Sequence, residues 1–167
     1  MNKRAPRAGF RVGSGFDAHP LTAEPPLILG GAVVSESEGV SATSDGDVLA
    51  HSVADAILGA CSLGDLGQHF PSDDPVHEDA DSMDLLGRAV SMANDSGWHP
   101  VHVDVTVVAQ SIRISPHRET IRHNLAALLG LDVADVSVKA TTTDGLGFIG
   151  RDEGLASLAV VTVQALS

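Results

Sequence analysis

The sequence has one cysteine, no long apolar run, and no basic residue over a large part of its length. Cys61 alone cannot form an internal disulfide, and its apolar neighbours predict a small packing residue in a reducing cytoplasm. No apolar segment approaches the ~18 residues of a membrane-spanning helix, so we expect no membrane partner. No apolar stretch follows the basic residues of segment 1–8, which predicts a short disordered tail and not a secretory signal.

Basic residues are missing from one continuous span. The formal net charge is -12, and the span from Val12 to Gly87 holds fourteen Asp and Glu but no Lys or Arg. Such a surface repels nucleic acid and anionic membranes, so we expect neither as a partner. A phosphate-bearing substrate would need a bound metal or basic residues of the second half, such as Arg113, Lys139 and Arg151.

The length and composition predict one globular domain. The chain has 167 residues, of which 43% are hydrophobic and 19% charged, and no repeat or linker divides segment 9–167. Apolar periodicity predicts strands at 10–15, 27–29, 32–34, 101–107, 136–140 and 158–163. It predicts helices at 44–64, 82–96 and 115–130, with Ser44 and Ser115 as N-caps. We therefore expect an α/β chain of the α+β type: one two-layer domain, a mixed β-sheet with helices packed on one face.

Three residues form a candidate metal site. Asp17 and His19 are two apart at the end of the first predicted strand, so their side chains leave the same face. His51 is the best candidate for a third ligand, and one Asp with two His suits Zn2+ with a fourth position open for catalysis. The alternative is that Asp17 caps a local turn and His19 is an ordinary turn histidine. Asp55, four residues after His51, either orients the imidazole or forms a plain helix-surface pair.

Two further segments are rich in glycine. Segment 63–71 has two glycines and a proline around Asp65 and Phe70, which indicates either a connector or a substrate-facing loop. Segment 141–147, with three threonines, Asp144 and two glycines, predicts a hydroxyl-rich turn after a strand.

Four of these segments, in this order and spacing, resemble the family of 2-C-methyl-D-erythritol 2,4-cyclodiphosphate synthases. They are Gly15-Phe16-Asp17-Ala18-His19, Ser44-Asp45-Gly46-Asp47 with His51, Leu63-Gly64-Asp65-Leu66-Gly67 with Phe70-Pro71, and Lys139-Ala140-Thr141-Thr142-Thr143 with Gly147. The resemblance extends from Gly9 to Val163. It implies a homotrimeric enzyme of the non-mevalonate isoprenoid pathway, located in the cytoplasm, with each site between two neighbouring subunits.

The resemblance also implies a reaction and its residues. The family is a phosphorus-oxygen lyase that converts 4-diphosphocytidyl-2-C-methyl-D-erythritol 2-phosphate into the cyclic diphosphate and releases CMP. One zinc per chain would lie on Asp17, His19 and His51. A second metal, Mg2+ or Mn2+, would lie at Asp144, where the family usually has the longer Glu, so that a bridging water would be needed.

Ser44, Asp65, Thr142 and Asp144 are the implied catalytic residues, with Ser44 on a phosphate and Asp65 on the methylerythritol hydroxyls. The implied substrate contacts also include the zinc ligands Asp17 and His19 and the following residues: Gly67, Phe70, Ala109, Arg113, Ser115, Ala140, Thr141, Thr142, Phe148 and Arg151. Arg151 matches a family arginine near the central passage of the trimer.

The implied mechanism requires no catalytic base. The 2-phosphate is largely dianionic at neutral pH, because its second pKa is about 6, and so it is a ready nucleophile. The barrier is repulsion from the diphosphate, which the two metals would lower while the protein provides positioning and electrostatic stabilisation.

Three residues depart from the family pattern: Thr43 for a common His, Ile112 for a frequent Pro, and Asp152 for a usual Gly. Thr43 and Asp152 favour an alternative, a catalytically weakened trimeric zinc- and nucleotide-binding protein of the same fold. A zinc hydrolase of amides or esters is a further alternative, but the chain lacks His-Glu-x-x-His and has no Glu beside the proposed ligands.

Overall fold

The computed structural model describes residues 9–42, 44–71 and 80–166. The tail expected at 1–8, Thr43, and most of the acidic segment after Pro71 lie outside the described residues. The strands are β1 Phe10–Thr22, β2 Leu27–Leu29, β3 Ala32–Ser35, β4 Gly39–Val40, β5 Trp98–Val108, β6 Val136–Thr141 and β7 Gly154–Ala165. The helices are α1 Val48–Cys61, α2 Leu66–His69, α3 Ser82–Asp95, α4 Arg118–Leu129 and α5 Gly147–Gly150, with 3-10 turns at Ser115–His117 and Val133–Asp135.

Five strands form one mixed sheet in the order β4-β1-β7-β5-β6. β5 and β6 are parallel, and the other neighbouring pairs are antiparallel. β2 and β3 form a separate antiparallel pair that turns at Gly30 and Gly31, as predicted from the glycine pair. The expected α+β domain with a mixed sheet is confirmed.

One face of the sheet is buried and carries the core. Along β7, Ser157, Ala159, Val161 and Val163 are buried, while the residues between them are exposed or half-buried. α1 packs on β1 and β7, and α4 lies beside β6. The core is a single apolar cluster between the sheet and these helices.

The opposite face of the sheet presents apolar side chains to solvent. Phe10, Val12 and Phe16 of β1 are exposed, as are Leu158 and Val160 of β7. Phe16 pairs with Leu158 across the two strands, and Ser14 pairs with Val160, so these residues form one continuous patch. We call these five apolar residues the outer face.

Two glycines set the distance between β1 and α1. A Cβ atom on Gly13 would lie 2.0 Å from the carbonyl oxygen of Ala56, and one on Gly15 would lie 2.0 Å from that of Ser52. Real Cβ atoms do not approach this closely, so the strand and the helix can touch only through glycine. This contact brings the first turn of α1, with His51, over the end of β1.

Several predicted element ends are wrong. β1 continues to Thr22, beyond the predicted strand 10–15 and beyond His19, which was expected at its end. α1 begins at Val48 and not at Ser44, because Asp47 is the N-cap and accepts hydrogen bonds from the amides of Leu49 and Ala50. It ends at Cys61, where Ser62 adopts a left-handed conformation, and not at Gly64.

The helix predicted from Ser115 begins instead with a 3-10 turn at Ser115–His117, and α4 starts at Arg118. Ser115 caps neither of them. The predicted helix at 82–96 and its stop at Gly97 agree with α3, which ends at Asp95. Within the described ranges, no helix combines the length and the hydropathy of a membrane span.

Candidate metal centre

The structure brings Asp17 and His19 together, as their spacing predicted, and adds His51, the candidate third ligand. Asp17 and His19 leave β1 on its helix-facing side, and His51 lies in the first turn of α1. One oxygen of Asp17, Oδ2, lies 2.9 Å from Nδ1 of His51 and 3.1 Å from Nε2 of His19. The three candidate ligand atoms all lie within 4.8 Å of one another. This convergence is the geometry that a three-ligand metal site requires.

The ring nitrogen of His19 supports a cation at this position. Its Nε2 atom is buried, and within the described part of the chain it makes no hydrogen bond of acceptable geometry, despite its short distance to Asp17. The two imidazole rings meet edge to face, with centroids 5.7 Å apart. Buried polar atoms are rarely left without a partner. One carboxylate oxygen and two imidazole nitrogens therefore suit Zn2+ in chemistry and in number.

The charge state of Asp17 is set by its neighbours. Burial alone would raise the pKa of Asp17, but the contacts with His19 and His51 outweigh it and hold this pKa well below its ordinary value. The other oxygen, Oδ1, accepts a hydrogen bond from the amide of Ala18 at 2.9 Å. Asp17 is therefore an anion with a fixed orientation. Burial acts to lower the pKa of His51, but the adjacent carboxylates raise it overall.

Two serines lie on the other side of the His51 ring. Its Nε2 atom is 2.9 Å from Oγ of Ser82 and 3.3 Å from Oγ of Ser44. Ser44 is half-buried, and its hydroxyl oxygen accepts a hydrogen bond from the amide of Gly46 at 3.2 Å. Ser82 is fully buried at the start of α3 and contacts Asp45 as well. The sequence patterns predicted the helix at 82–96 but gave no signal for the role of Ser82.

Asp55 does not orient the His51 ring, although the two are four residues apart on α1. Its Oδ1 atom accepts a hydrogen bond from the amide of Leu66 at 2.7 Å. Asp55 thus fixes the start of α2, so its contact is neither with the imidazole nor a plain helix-surface pair. The prediction that Asp55 orients the His51 imidazole was therefore wrong: its contact is the amide of Leu66.

The segment around Asp65 forms a short helix next to this site. Asp65 caps α2 by accepting from the amide of Gln68 at 2.9 Å and from its side chain at 3.2 Å. Gly67 is exposed within that helix, and Phe70 ends it. The guanidinium carbon of Arg88 lies 5.9 Å from the centroid of the Phe70 ring. The assignment of these residues to substrate stays a prediction.

A second cluster of predicted residues lies around the turn after β6. Thr142 donates a hydrogen bond to Asp144 at 3.0 Å, and Asp144 has a positive φ of 52°. The amide of Ala109 donates to the carbonyl of Thr141 at 3.0 Å. The neighbouring side chains are exposed and thus accessible; they belong to Arg113, Ser115, Ala140, Thr141 and Phe148.

Two acidic residues that follow this turn have contacts the sequence did not reveal. Asp152 accepts a hydrogen bond from the amide of Ser111 at 3.0 Å, which ties segment 109–115 to the turn at Arg151. The Arg151 guanidinium forms two hydrogen bonds of 2.9 Å with the carboxylate of Glu153. The basic group expected near Asp152 is thus paired with Glu153 within the chain.

The two clusters lie apart in a single chain. Ala18, Ala156, Val108 and Thr141 pair successively across the sheet from β1 to β6. Three strand spacings separate the ends of this row, which amounts to roughly 14 Å. The metal triad and the threonine turn thus lie at opposite ends of this row, although Phe148, which follows the turn, lines a cavity together with His19.

Comparisons with known proteins agree over nearly the whole chain. The model of the YgbB family matches residues 10–164. The 2-C-methyl-D-erythritol 2,4-cyclodiphosphate synthase of Shewanella halifaxensis is 52% identical over 152 residues, covering 91% of this chain and 96% of the relative. The enzyme of the same name from Bordetella petrii is 48% identical over 158 residues, covering 95% of this chain and 98% of the relative.

Solved structures give the same result. The bifunctional IspDF of Campylobacter jejuni is 41% identical with a TM-score of 0.93, covering 97% of this chain. This chain spans only 44% of that bifunctional protein. IspF of Plasmodium falciparum in its CDP complex is 30% identical with a TM-score of 0.84, covering 96% of this chain and 99% of that one.

Proposed function

The chain belongs to the YgbB family, and from this premise we propose that it is a 2-C-methyl-D-erythritol 2,4-cyclodiphosphate synthase. It converts 4-diphosphocytidyl-2-C-methyl-D-erythritol 2-phosphate into 2-C-methyl-D-erythritol 2,4-cyclodiphosphate and releases CMP, as a phosphorus-oxygen lyase. The convergence of Asp17, His19 and His51 is the observation that carries this proposal. The CDP complex of the Plasmodium falciparum relative supports a cytidine-type ligand.

Asp17, His19 and His51 would hold one zinc ion, with a fourth position open to substrate. Zn2+ in this position supplies Lewis-acid polarisation of a phosphate oxygen. Asp144 would hold a second divalent cation, Mg2+ or Mn2+, which would neutralise phosphate charge, and the hydroxyl of Thr142 orients the Asp144 carboxylate. The family relationship and the acidic donors support these roles.

The reaction needs no proton acceptor from the protein. An oxygen of the dianionic 2-phosphate attacks the β phosphorus, and the bond to the oxygen of the α phosphate breaks as CMP leaves with the electron pair. The chain then serves to position the groups. Ser44 donates its hydroxyl proton to a phosphate oxygen, Asp65 accepts from the methylerythritol hydroxyls, and exposed Arg113 balances phosphate charge.

We propose a homotrimer with each site built from two neighbouring chains. The outer face offers a contiguous apolar surface of the kind that subunit interfaces cover. Within one chain the triad lies roughly 14 Å from the threonine turn, measured in strand spacings. The triad also lies in the span without Lys or Arg, whereas Arg113 follows it. A cyclic arrangement can bring the basic half of one chain to the acidic half of the next.

Release of CMP from the synthetic substrate, with and without chelator, tests the function. Asp17→Asn should lower turnover roughly 100-fold or more, because a ligand to the Lewis acid is lost. Asp132→Asn is the matched control, since Asp132 is exposed and only caps the 3-10 turn at Val133. Full CMP release by Asp17→Asn would contradict the proposal.

Zinc content tests the ligands separately from turnover. Elemental analysis of chelator-treated and reconstituted protein should give one zinc per wild-type chain and a large loss in His51→Ala. Full zinc content in His51→Ala would remove that residue from the site.

A further inference from the structure

Ser82 connects the His51 ring to a carboxylate outside the metal triad. It is fully buried, and its Oγ atom lies 2.9 Å from Nε2 of His51. The same hydroxyl donates to Oδ1 of Asp45, and the Ser82 amide donates to Oδ2 of Asp45 at 3.2 Å. Asp45 is itself held in place, because its own amide donates to the carbonyl of Ala80 at 3.2 Å. One carboxylate therefore accepts both hydrogen bonds that Ser82 can donate.

The number of protons available in these contacts determines whether Nε2 of His51 donates or accepts a hydrogen bond. A serine hydroxyl has one proton, and a carboxylate only accepts. Because the Ser82 proton goes to Asp45, only lone pairs of the hydroxyl face His51. Nε2 must then carry the proton between His51 and Ser82. In a neutral imidazole, the other nitrogen, Nδ1, then has the free lone pair. That nitrogen is the one 2.9 Å from Asp17.

We propose that Asp45 and Ser82 are positioning residues for the metal site, which hold His51 in the tautomer and orientation that present Nδ1 to the metal. This inference rests on the proposed function, because the metal is that of the proposed synthase. Outer hydrogen bonds of this kind fix the orientation of metal-bound imidazoles and raise their basicity.

This arrangement also gives Ser44 and Ser82 different roles. Ser44 is farther from Nε2, at 3.3 Å, and is half-buried, whereas Ser82 is fully buried. Since Ser82 accepts the imidazole proton, His51 does not take up the hydroxyl proton of Ser44, whose Oγ also lies 3.4 Å from Oγ of Ser82. That proton can turn to a phosphate oxygen. Ser82 thereby allows Ser44 to serve the substrate.

Zinc affinity, measured by competition with a chelator of known affinity, tests this on the full-length protein. Ser82→Ala should bind zinc about 10- to 100-fold more weakly than wild type. Ser52→Ala is the matched control, because Ser52 is a fully buried serine next to His51 whose hydroxyl bonds Leu49 and Ser157 instead. It should bind zinc within about threefold of wild type, since the ring keeps its partner.

Asp45→Asn is a second variant that keeps the shape of the site. The amide can donate to Ser82, so the serine proton can turn toward Nε2 and oppose the tautomer that zinc needs. Zinc affinity should fall about tenfold, and the double variant should be no weaker than Ser82→Ala, because the two act in series. Thermal unfolding of each variant checks that it is folded.

Nuclear magnetic resonance of zinc-loaded protein with 15N-labelled histidine gives a direct signature. The Nε2 proton of His51 should exchange slowly in wild type and Ser52→Ala, and rapidly in Ser82→Ala. Equal zinc affinity of wild type and folded Ser82→Ala would overturn this inference. A wild type that binds no zinc would instead overturn the proposed metal site, so the two failures are distinct.

Discussion

Asp47 is a fully buried carboxylate at the entrance of α1. Its Oδ1 atom accepts from the amides of Leu49 and Ala50, and its Oδ2 atom accepts from the amide of Gly31 at 2.9 Å. Burial raises its pKa to about 6, although these hydrogen bonds act in the opposite direction. Asp47 thus links the β2–β3 turn to the helix that carries His51.

The first prediction concerns the pH dependence that Asp47 gives to stability. Its folded pKa of about 6 lies above the ordinary value of 3.8, so the folded protein binds the proton more tightly. The resulting stabilisation is complete below about pH 4 and is lost as the pH rises through about 6, a change of about 3 kcal/mol.

Chemical denaturation in excess chelator, from pH 4 to pH 8, would measure this for wild type and for Asp47→Asn, which lacks the titrating group. The free energy of unfolding of wild type, relative to the variant, should decrease with rising pH. If the two proteins showed parallel pH profiles, Asp47 would not titrate between pH 4 and pH 8, and the prediction would be wrong.

The metal triad could be predicted from sequence because its chemistry is local on β1. Period-two spacing alone places Asp17 and His19 on one face, and His51 follows a recognisable acidic helix start. Ser82 could not be predicted, because a serine carries no distinctive signal and its partner Asp45 is 37 residues away. Asp55 was placed on the correct helix, but spacing cannot say which of two neighbours a carboxylate contacts.

At the scale of elements, the contact between β1 and α1 determines where His51 lies. Gly15→Ala places a methyl group 2.0 Å from the carbonyl oxygen of Ser52, so the strand and helix must separate. We expect a loss of stability of roughly 1–3 kcal/mol. We also expect weaker zinc binding, because His51 on α1 stays next to Asp17 on β1 only while β1 and α1 touch.

Gly87→Ala in α3 is the matched control. A Cβ atom there meets nothing within 4 Å, so the substitution should stabilise the helix by about 0.5–1 kcal/mol. Denaturant unfolding and chelator competition measure both quantities. A Gly15→Ala protein as stable as wild type and with unchanged zinc affinity would disprove the close-contact argument.

The existence of the long elements was predictable, but several of their ends were not. The alternating apolar residues of β5 indicate a strand, and the apolar stripe of α3 indicates a helix. The start of α1 depended on a choice among Ser44, Asp45 and Asp47, all of which are good N-caps. Asp47 is the cap because its side chain also reaches Gly31, a contact between distant segments that no local pattern contains.

At the scale of the whole molecule, the outer face leads to a prediction about assembly. Val12 lies on it and is 65% exposed, whereas Val33 is 46% exposed on the separate β2–β3 pair. Val12→Glu should convert the proposed trimer to a monomer, because a charge would be buried without a partner in the interface. Val33→Glu should leave the trimer intact. Sedimentation equilibrium measures both masses, and a trimeric Val12→Glu protein would exclude this face as the interface.

The proposed site between two chains predicts complementation between inactive chains. Asp17→Asn disables the metal half, and Arg113→Ala combined with Thr142→Ala disables the nucleotide half. In randomly mixed trimers made from equal amounts of each chain, an intact metal half faces an intact nucleotide half at about one site in four.

Co-expression of the two chains with different tags, followed by purification of mixed trimers, should therefore recover about a third of wild-type activity, because the inactive homotrimers are removed and each mixed trimer has one intact site of three. Absence of recovery from verified mixed trimers, with zinc present in the Arg113 chains, would mean that each chain builds its own site.

β1 directs the candidate ligands Asp17 and His19 to its helix-facing side, and directs Val12 and Phe16 of the outer face to the other side. A point substitution in this strand alters one side only. A single inserted or deleted codon between the two groups would exchange the sides for every residue beyond it, because side chains alternate with a period of two. We therefore expect relatives to differ in this strand by substitution, with insertions and deletions confined to the loops around it.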